Sequence, residues 1–357
     1  ALMLALARQG QFNAALEVYR QCAATLRREL NLAPSAETAA VYERVLLARS
    51  APRRSLPFAG APFVGREREL AETAAQLVRP DCRLLTLLGL GGTGKTRLAV
   101  ELARRAQGAF LDGICFVPLE SYGASGSEED LWGAVARALD LRLTSGSTRS
   151  QVIDFLRLRE LLVVLDNCEL FASVAGGLTA LLREARDVKL LVTSRQRLDV
   201  PDEMIYHVGG LAYPPENRLL LLTAEVLTAY DAPALLAHNV ARLNPEIDLS
   251  AAASDIVRVC RLVEGLPLAL EMVAPWLLNL SPAAVADRLA ADVPGLLDYE
   301  RNFPDRHRSL HGVFEHSWAT LSPAEQRAFR RLAVIVGVIS SSAAAATVTD
   351  GPVIWRD

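Results

Sequence analysis

The stretch Gly89-Leu90-Gly91-Gly92-Thr93-Gly94-Lys95-Thr96 follows the pattern G-x-x-x-x-G-K-[ST], and it lies where that pattern has meaning, after an apolar run and before a helical one. Its glycines let backbone N–H groups turn inward around phosphate oxygens. The helix that begins near Lys95 adds the positive end of its dipole. Lys95 supplies a point charge for the outer phosphates of a nucleotide, and Thr96 can place a hydroxyl on magnesium. Lys95 and Lys189 are the only lysines among 38 basic residues, so this lysine is not a by-product of composition.

Outward from this loop, short apolar runs alternate with helical segments. Leu84 to Leu88, Ile114 to Leu119, Leu161 to Leu165 and Leu190 to Thr193 read as buried strands. Strands alternating with helices imply a parallel sheet covered on both faces. The run Leu161-Leu162-Val163-Val164-Leu165 ends in Asp166, a carboxylate placed for magnesium in a P-loop site. Asn167 follows where a second acid would serve hydrolysis, which leaves Glu169 as the nearest candidate base or water-positioning group. The strand from Val188 to Thr193 ends at Ser194-Arg195, whose guanidinium fits either a terminal phosphate or an ordinary surface position. Neither lysine follows an asparagine, so the guanine-reading N-K-x-D pattern is missing and adenine is the expected base.

The rest of the chain sets the context. With 357 residues, 51% of them hydrophobic and 22% charged, it has an ordinary soluble composition with room for two or three domains. A net charge of -3 argues against a nucleic-acid grip by this stretch alone. Five scattered cysteines without a C-x-x-C pair suggest neither a disulfide framework nor a zinc site, which fits a cytoplasmic location. The chain starts at Ala1 directly in helical periodicity and reads as a fragment. Phe12, Ala15, Leu16, Tyr19, Ala23, Leu26 and Leu30 keep helical spacing up to the break at Pro34, and Ser35 caps a second helix with Glu37 in its first turn. This helix pair is similar to the end of a tetratricopeptide array. Pro52, Pro57 and Pro62 mark residues 50–63 as a linker. Beyond Gly210 the pattern is Ala/Leu-rich helix interrupted by Pro233, Pro245, Pro267, Pro282 and Pro294. The uncharged stretch Leu332 to Thr349 carries Gly337 and three consecutive serines and is not read as a membrane span. His307, His311 and His316 lack the ligands that would complete a metal site and read as a helix face.

Together these motifs resemble the STAND class of signalling ATPases, in particular the NB-ARC-like module of bacterial SARP/AfsR-type transcriptional regulators. Phe63-Val64-Gly65-Arg66-Glu67 is similar to that family's V-G-R-E motif, Leu165-Asp166-Asn167-Cys168-Glu169 to its L-D-N-C-E form of Walker B, and Thr193-Ser194-Arg195 to its sensor strand. Gly265-Leu266-Pro267-Leu268-Ala269-Leu270-Glu271 is similar to the signature of its helical lid. Residues 10–46 look like the end of a bacterial transcriptional activation domain, and Ser309 through Val336 like the start of a winged helix. Residues 211–250 match the family poorly.

The resemblance implies an α/β P-loop NTPase fold, a parallel sheet with helices on both faces, between an N-terminal TPR-like helical segment and a C-terminal helical lid leading into a partial winged helix. The expected boundaries are 1–49 for the activation-domain end, 50–63 for the linker, 64–210 for the NTPase domain, 211–297 for the lid and 298–357 for the winged-helix part. The implied cofactors are ATP/ADP and Mg2+. Val64, Gly65 and Arg66 would lie near adenine and ribose, Gly89, Gly91, Gly92, Thr93, Gly94, Lys95, Thr96 and Arg97 around the phosphates, and Pro267 against the base. Thr96 and Asp166 would hold the metal, with Asp166, Glu169 and Arg195 in catalytic roles. The implied function is a nucleotide switch in a multidomain regulator, with slow ATP hydrolysis as the admissible enzyme activity. DNA would be contacted only through a domain outside this stretch, a nucleotide-dependent homo-oligomer is admissible, and no membrane is involved. The competing readings are a catalytic P-loop enzyme such as a small-molecule kinase, and an interaction scaffold with structural nucleotide.

Overall fold

The computed structural model describes residues 1–50, 56–57, 62–120, 126–171, 174–215, 225–291 and 322–332. The chain divides into two compact units, the first comprising residues 1–89 and 93–212, the second residues 90–92 and 213–357.

The first unit opens with three helices, α1 (Leu2–Arg8), α2 (Phe12–Leu30) and α3 (Ala36–Ser50). Asn31 adopts the left-handed conformation (φ 51°) that ends α2, a backbone state asparagine tolerates better than most residues. Met3, Ala7, Ala15, Leu16, Val45 and Ala48 form a small core between these helices, and the rings of Tyr19 and Tyr42 stack at 4.1 Å.

The sheet follows, with β1 (Leu84–Leu88), β2 (Ile114–Pro118), β3 (Leu162–Asp166), β4 (Lys189–Ser194) and β5 (Glu203–His207) all parallel in the order β2-β3-β4-β1-β5. Around it lie α4 (Glu67–Val78), α5 (Lys95–Arg105), α6 (Glu128–Ala138), α7 (Thr148–Leu156) and α8 (Ala175–Glu184). The apolar runs are continuous because both faces are covered. Val163, Leu165, Leu190 and Val192 pack with Trp132, Val152 and Leu178 of α6, α7 and α8, while Leu162, Val164 and Leu191 pack with Leu70 and Leu98 of α4 and α5. The sequence pattern did not reveal β5, a partly exposed edge strand with polar ends beside β1. It is anchored where the Thr86 hydroxyl donates to Glu203 Oε1 at 2.6 Å.

Because the strands are parallel, all their N-terminal ends share one edge, and the N-terminal helices dock there. Leu111, just before β2, is buried in the core of α1–α3. Glu160, just before β3, receives Arg8 of α1 and Arg44 of α3, the latter at 3.0 Å, and Arg44 also reaches Asp187, just before β4, at 3.3 Å. The backbone of Glu160 is itself fixed, since its amide donates to Asp112 Oδ2 at 2.9 Å and its carbonyl accepts from the Asp112 amide at 3.0 Å. Asp112 is held in turn by Arg159 at 2.8 Å.

The second unit is helical, with α9 (Val226–Ala229), α10 (Asp231–Leu243), α11 (Ala253–Leu262), α12 (Pro267–Val273), α13 (Pro282–Ala291) and α14 (Pro323–Leu332). Pro267, Pro282 and Pro323 each occupy the first helical position, where a missing N–H costs nothing, so these prolines start helices. Leu236, Val240, Ile256, Val257, Leu270, Val273, Val285 and Leu289 are buried. Apart from α14, the expected winged-helix region lies outside the described residues, as do the three histidines there, nearly all of the Leu332 to Thr349 stretch, and linker residues 51–55 and 58–61. Among the described residues, no helix is long and apolar enough to cross a membrane.

Truncating the docking side chain tests this architecture. Leu111→Ala removes a buried contact between the helices and the sheet domain and is expected to cost about 2–4 kcal/mol. Calorimetric unfolding should show α1–α3 melting at a lower temperature than in the parent. An unchanged thermogram would mean that Leu111 does not join the two.

Candidate phosphate-binding site

At the opposite, C-terminal edge of the sheet the loop Gly89–Thr96 turns from β1 into α5. Gly92 and Gly94 have φ of 79° and 85°, a region closed to most side chains, so the tight turns of the loop depend on glycine at both positions. Gly89 is required for a different reason. A Cβ there would sit 2.3 Å from the Val208 carbonyl oxygen, in the segment leaving β5.

Lys95 is buried, and its ammonium donates to the Gly89 carbonyl at 2.8 Å, folding the lysine back over the loop. Burial lowers its pKa from 10.5 to about 8, with the Glu169 carboxylate opposing, the Arg195 guanidinium adding to the drop and Asp166 opposing. The Thr96 hydroxyl donates to Asp166 Oδ1 at 2.7 Å. The same oxygen accepts from the Thr193 hydroxyl of β4 at 2.6 Å, and the Thr193 oxygen accepts from the Asn167 amide at 2.9 Å. Burial raises the Asp166 pKa, while the two hydroxyls and the Lys95 charge pull it down. Asn167 has a φ of 63°, a left-handed turn that suits asparagine at the position after the acid. That turn leads into the short helical segment Cys168–Leu170, and Glu169 there is buried and paired through Oε1 with Arg195 Nε at 3.1 Å.

These positions show which expected residues the fold brings together. Lys95, Thr96, Asp166, Glu169 and Arg195 converge at the C-terminal edge of β1, β3 and β4. Arg66 is buried with its guanidinium on backbone carbonyls, donating to Thr93 and to Gly209, each at 2.7 Å, and it lies 3.7 Å from Glu69. Arg97 donates to the Pro62 carbonyl at 2.8 Å. Both arginines thus tie the segment around Val64 and Gly65 to the loop and act on its shape. Pro267 opens α12 in the second unit. Thr193, part of the sensor-like stretch Thr193-Ser194-Arg195, also joins the site through the Asp166 carboxylate. Its role depends on β4 lying between β1 and β3, which no local pattern reveals. The donor set suits a hard divalent cation, since the Thr96 hydroxyl and the Asp166 carboxylate are oxygen ligands already side by side. Among the described residues, no group of three or more His, Cys, Asp or Glu side chains forms another metal site.

Comparison with known proteins supplies the context. Residues 1–46 match the family model of the bacterial transcriptional activator domain. A putative HTH-type transcriptional regulator of Mycobacterium tuberculosis is 33% identical over 71% of this chain and 27% of its own length. The regulatory protein AfsR of Streptomyces coelicolor is 31% identical over 98% of this chain and 36% of its own. The chain therefore spans about a quarter to a third of the length of these relatives. Among solved structures, a signal transduction ATPase with numerous domains (STAND) protein with a tetratricopeptide repeat sensor from Pyrococcus horikoshii aligns over 82% of this chain and 37% of its own, at 14% identity and a TM-score of 0.35.

The brace formed by Arg66 is directly testable. Arg66→Ala leaves the buried Thr93 carbonyl without its charged donor and removes the tie to the more exposed Gly209 carbonyl, and is expected to cost about 1–3 kcal/mol. The urea midpoint should fall accordingly, and an unchanged midpoint would mean that other donors satisfy those carbonyls.

Proposed function

We propose that this chain, of the AfsR/SARP regulator type with a bacterial transcriptional activator domain ahead of a parallel sheet bearing a P-loop, is an adenine-nucleotide switch. The observation that carries the reading is the convergence of Lys95, Thr96 and Asp166 on one edge of the sheet, at the end of a loop whose Gly92 and Gly94 adopt positive φ. A neutral turn needs neither a buried lysine nor a buried acid there.

In this reading the loop amides and the N-terminus of α5 hold the inner phosphates, and Lys95 leaves the Gly89 carbonyl for the outer ones. Thr96 and Asp166 hold Mg2+, which when bound offsets phosphate charge. Thr193 keeps the Asp166 carboxylate facing Thr96, and Arg66 keeps the loop curled. Pro267 at the start of α12 serves the base, as the likeness of its motif suggests. Exchange of ADP for ATP, with slow hydrolysis, would shift the arrangement of the domains and the assembly of the regulator. The mycobacterial relative is named a putative transcriptional regulator and the streptomycete one a regulatory protein, and we carry a transcriptional output over to this chain, with DNA contacted by a part outside it.

Two experiments test the proposal. Denaturing the purified chain and its Lys95→Ala variant, then chromatographing the supernatant, should release adenine nucleotide from the parent alone. Release from neither, with no thermal stabilisation by added ADP-Mg or ATP-Mg, would leave the scaffold reading in its place. The second experiment uses pH. Lys95 keeps its charge below its folded pKa of about 8, so nucleotide affinity should be full there and fall as pH rises further, by about tenfold per unit. The sign for stability is the reverse. A lysine whose pKa is lowered on folding is destabilising while charged, and that cost is relieved between about 8 and 10.5. Isothermal titration with ADP-Mg across this range should show the inflection in the parent and not in Lys95→Arg, which stays protonated.

A further inference from the structure

At the docking edge of the sheet, α1–α3 and the sheet domain enclose between them a cavity of about 1040 Å³. One wall is the turn from α1 into α2 together with the end of α3. The other runs from Arg104, in the last turn of α5, through the short helical segment Gln107–Ala109 to Ile114 at the start of β2. The walls approach each other at Gly108, where a Cβ would lie 3.8 Å from the Arg8 carbonyl oxygen.

The lining divides by chemistry. Phe12, Leu56, Phe110, Leu111 and Ile114 give it an apolar side, and Arg8, Arg49 and Arg104 give it positive charge. Asp112 is the one acid among the described lining residues, and its carboxylate is already taken, Oδ1 by Arg159 at 2.8 Å and Oδ2 by the Glu160 amide at 2.9 Å. Arg8 is paired with Glu160, and Arg104 with Glu101. Arg49 differs from both. Exposed in the last turn of α3, it makes no ion pair or hydrogen bond among the described residues. The cavity therefore offers apolar surface that water covers at a cost, next to a guanidinium that no acid of the described chain neutralises. Its volume is at the upper end of what small organic ligands occupy.

We propose that this cavity binds a small organic anion, an apolar body carrying a single carboxylate or similar acid group, and that the bound anion ties α1–α3 to the sheet domain. The body covers the apolar side and releases its water, and the acid group pairs with Arg49. Because the walls belong to both parts, the occupant touches the helices and the sheet domain at once. The site lies at the edge opposite the Gly89–Thr96 loop and stands independently of the nucleotide reading.

The test uses 4-phenylbutyrate as the probe and 4-phenylbutanol, the same body without the charge, as its neutral counterpart. Each is titrated into the full chain labelled at its isoleucine methyl groups, with the Ile114 signal assigned by its loss in Ile114→Val. Phenylbutyrate should move that signal saturably, and the alcohol should bind at least about fivefold more weakly. Arg49→Glu should weaken the acid by about fivefold or more and leave the alcohol within about twofold. Arg27→Glu, at an exposed arginine of α2 outside the lining, should change neither. The comparison of acid with alcohol needs only the parent chain, so it decides the matter even where Arg49→Glu fails to fold. Equal affinities for acid and alcohol, or an Arg49→Glu chain that binds the acid as the parent does, overturn the assignment of an anion. An Ile114 signal that neither compound moves overturns the site. Lys95→Ala should bind the acid like the parent, and loss of binding there would put the anion in the phosphate loop and overturn the proposal. With the acid at saturation, the calorimetric transition of α1–α3 should move to higher temperature. An unmoved transition overturns the tie between helices and sheet.

Discussion

One carboxylate oxygen organises the C-terminal edge of the sheet. Oδ1 of Asp166 accepts two hydroxyl hydrogen bonds, from Thr96 on α5 and from Thr193 on β4, and so ties three elements at one buried point. Leaving that oxygen unpaired would cost far more than either bond returns, which is why the surrounding strands must meet in one register. Leu88 of β1 lies opposite Ser194 of β4, and Leu165 of β3 opposite Val192, so Thr193 sits at the junction between the loop strand and the acid strand. The same junction turns the chain into the segment that carries Glu169.

The strand that ends in Asp166 begins just after Glu160, and this relates the two edges of the first unit. Arg8 and Arg44 grip Glu160 at one end of β3, while Thr96 and Thr193 grip Asp166 at the other. Five residues of fully buried strand separate the docking edge from the phosphate edge. A buried strand is stiff, since its side chains are close-packed on both faces. Displacement at either edge therefore has a short, direct path to the other.

The arginines of this chain outnumber its lysines heavily, and a few of them clamp the backbone directly. Arg66, Arg83 and Arg97 all donate to backbone carbonyls, and the ammonium of Lys189 does the same for those of Leu77 and Arg79. Of the two lysines, Lys95 stands where a compact ammonium with a pKa that burial can move is the suitable group for a phosphate.

Several features were determined by the sequence alone. The glycines and lysine of residues 89–96, the apolar runs of β1 to β4, the carboxylate closing β3 and the first helices were all legible, because each depends on backbone conformation or periodicity within a few residues. The edge strand β5 was not legible, since a short, partly exposed strand with polar ends gives too weak an alternation. The order of the strands, with β4 between β1 and β3, was decided by the tertiary structure. That order made Thr193 a ligand of Asp166, brought Arg195 onto Glu169, and turned Arg66 toward the carbonyls of Thr93 and Gly209. It also brought Arg8, Arg44 and Glu160 together from distant parts of the chain. These pairings join residues far apart in sequence, and their energies exist only once the sheet has placed both partners within hydrogen-bond reach and excluded the water that would otherwise satisfy each of them separately.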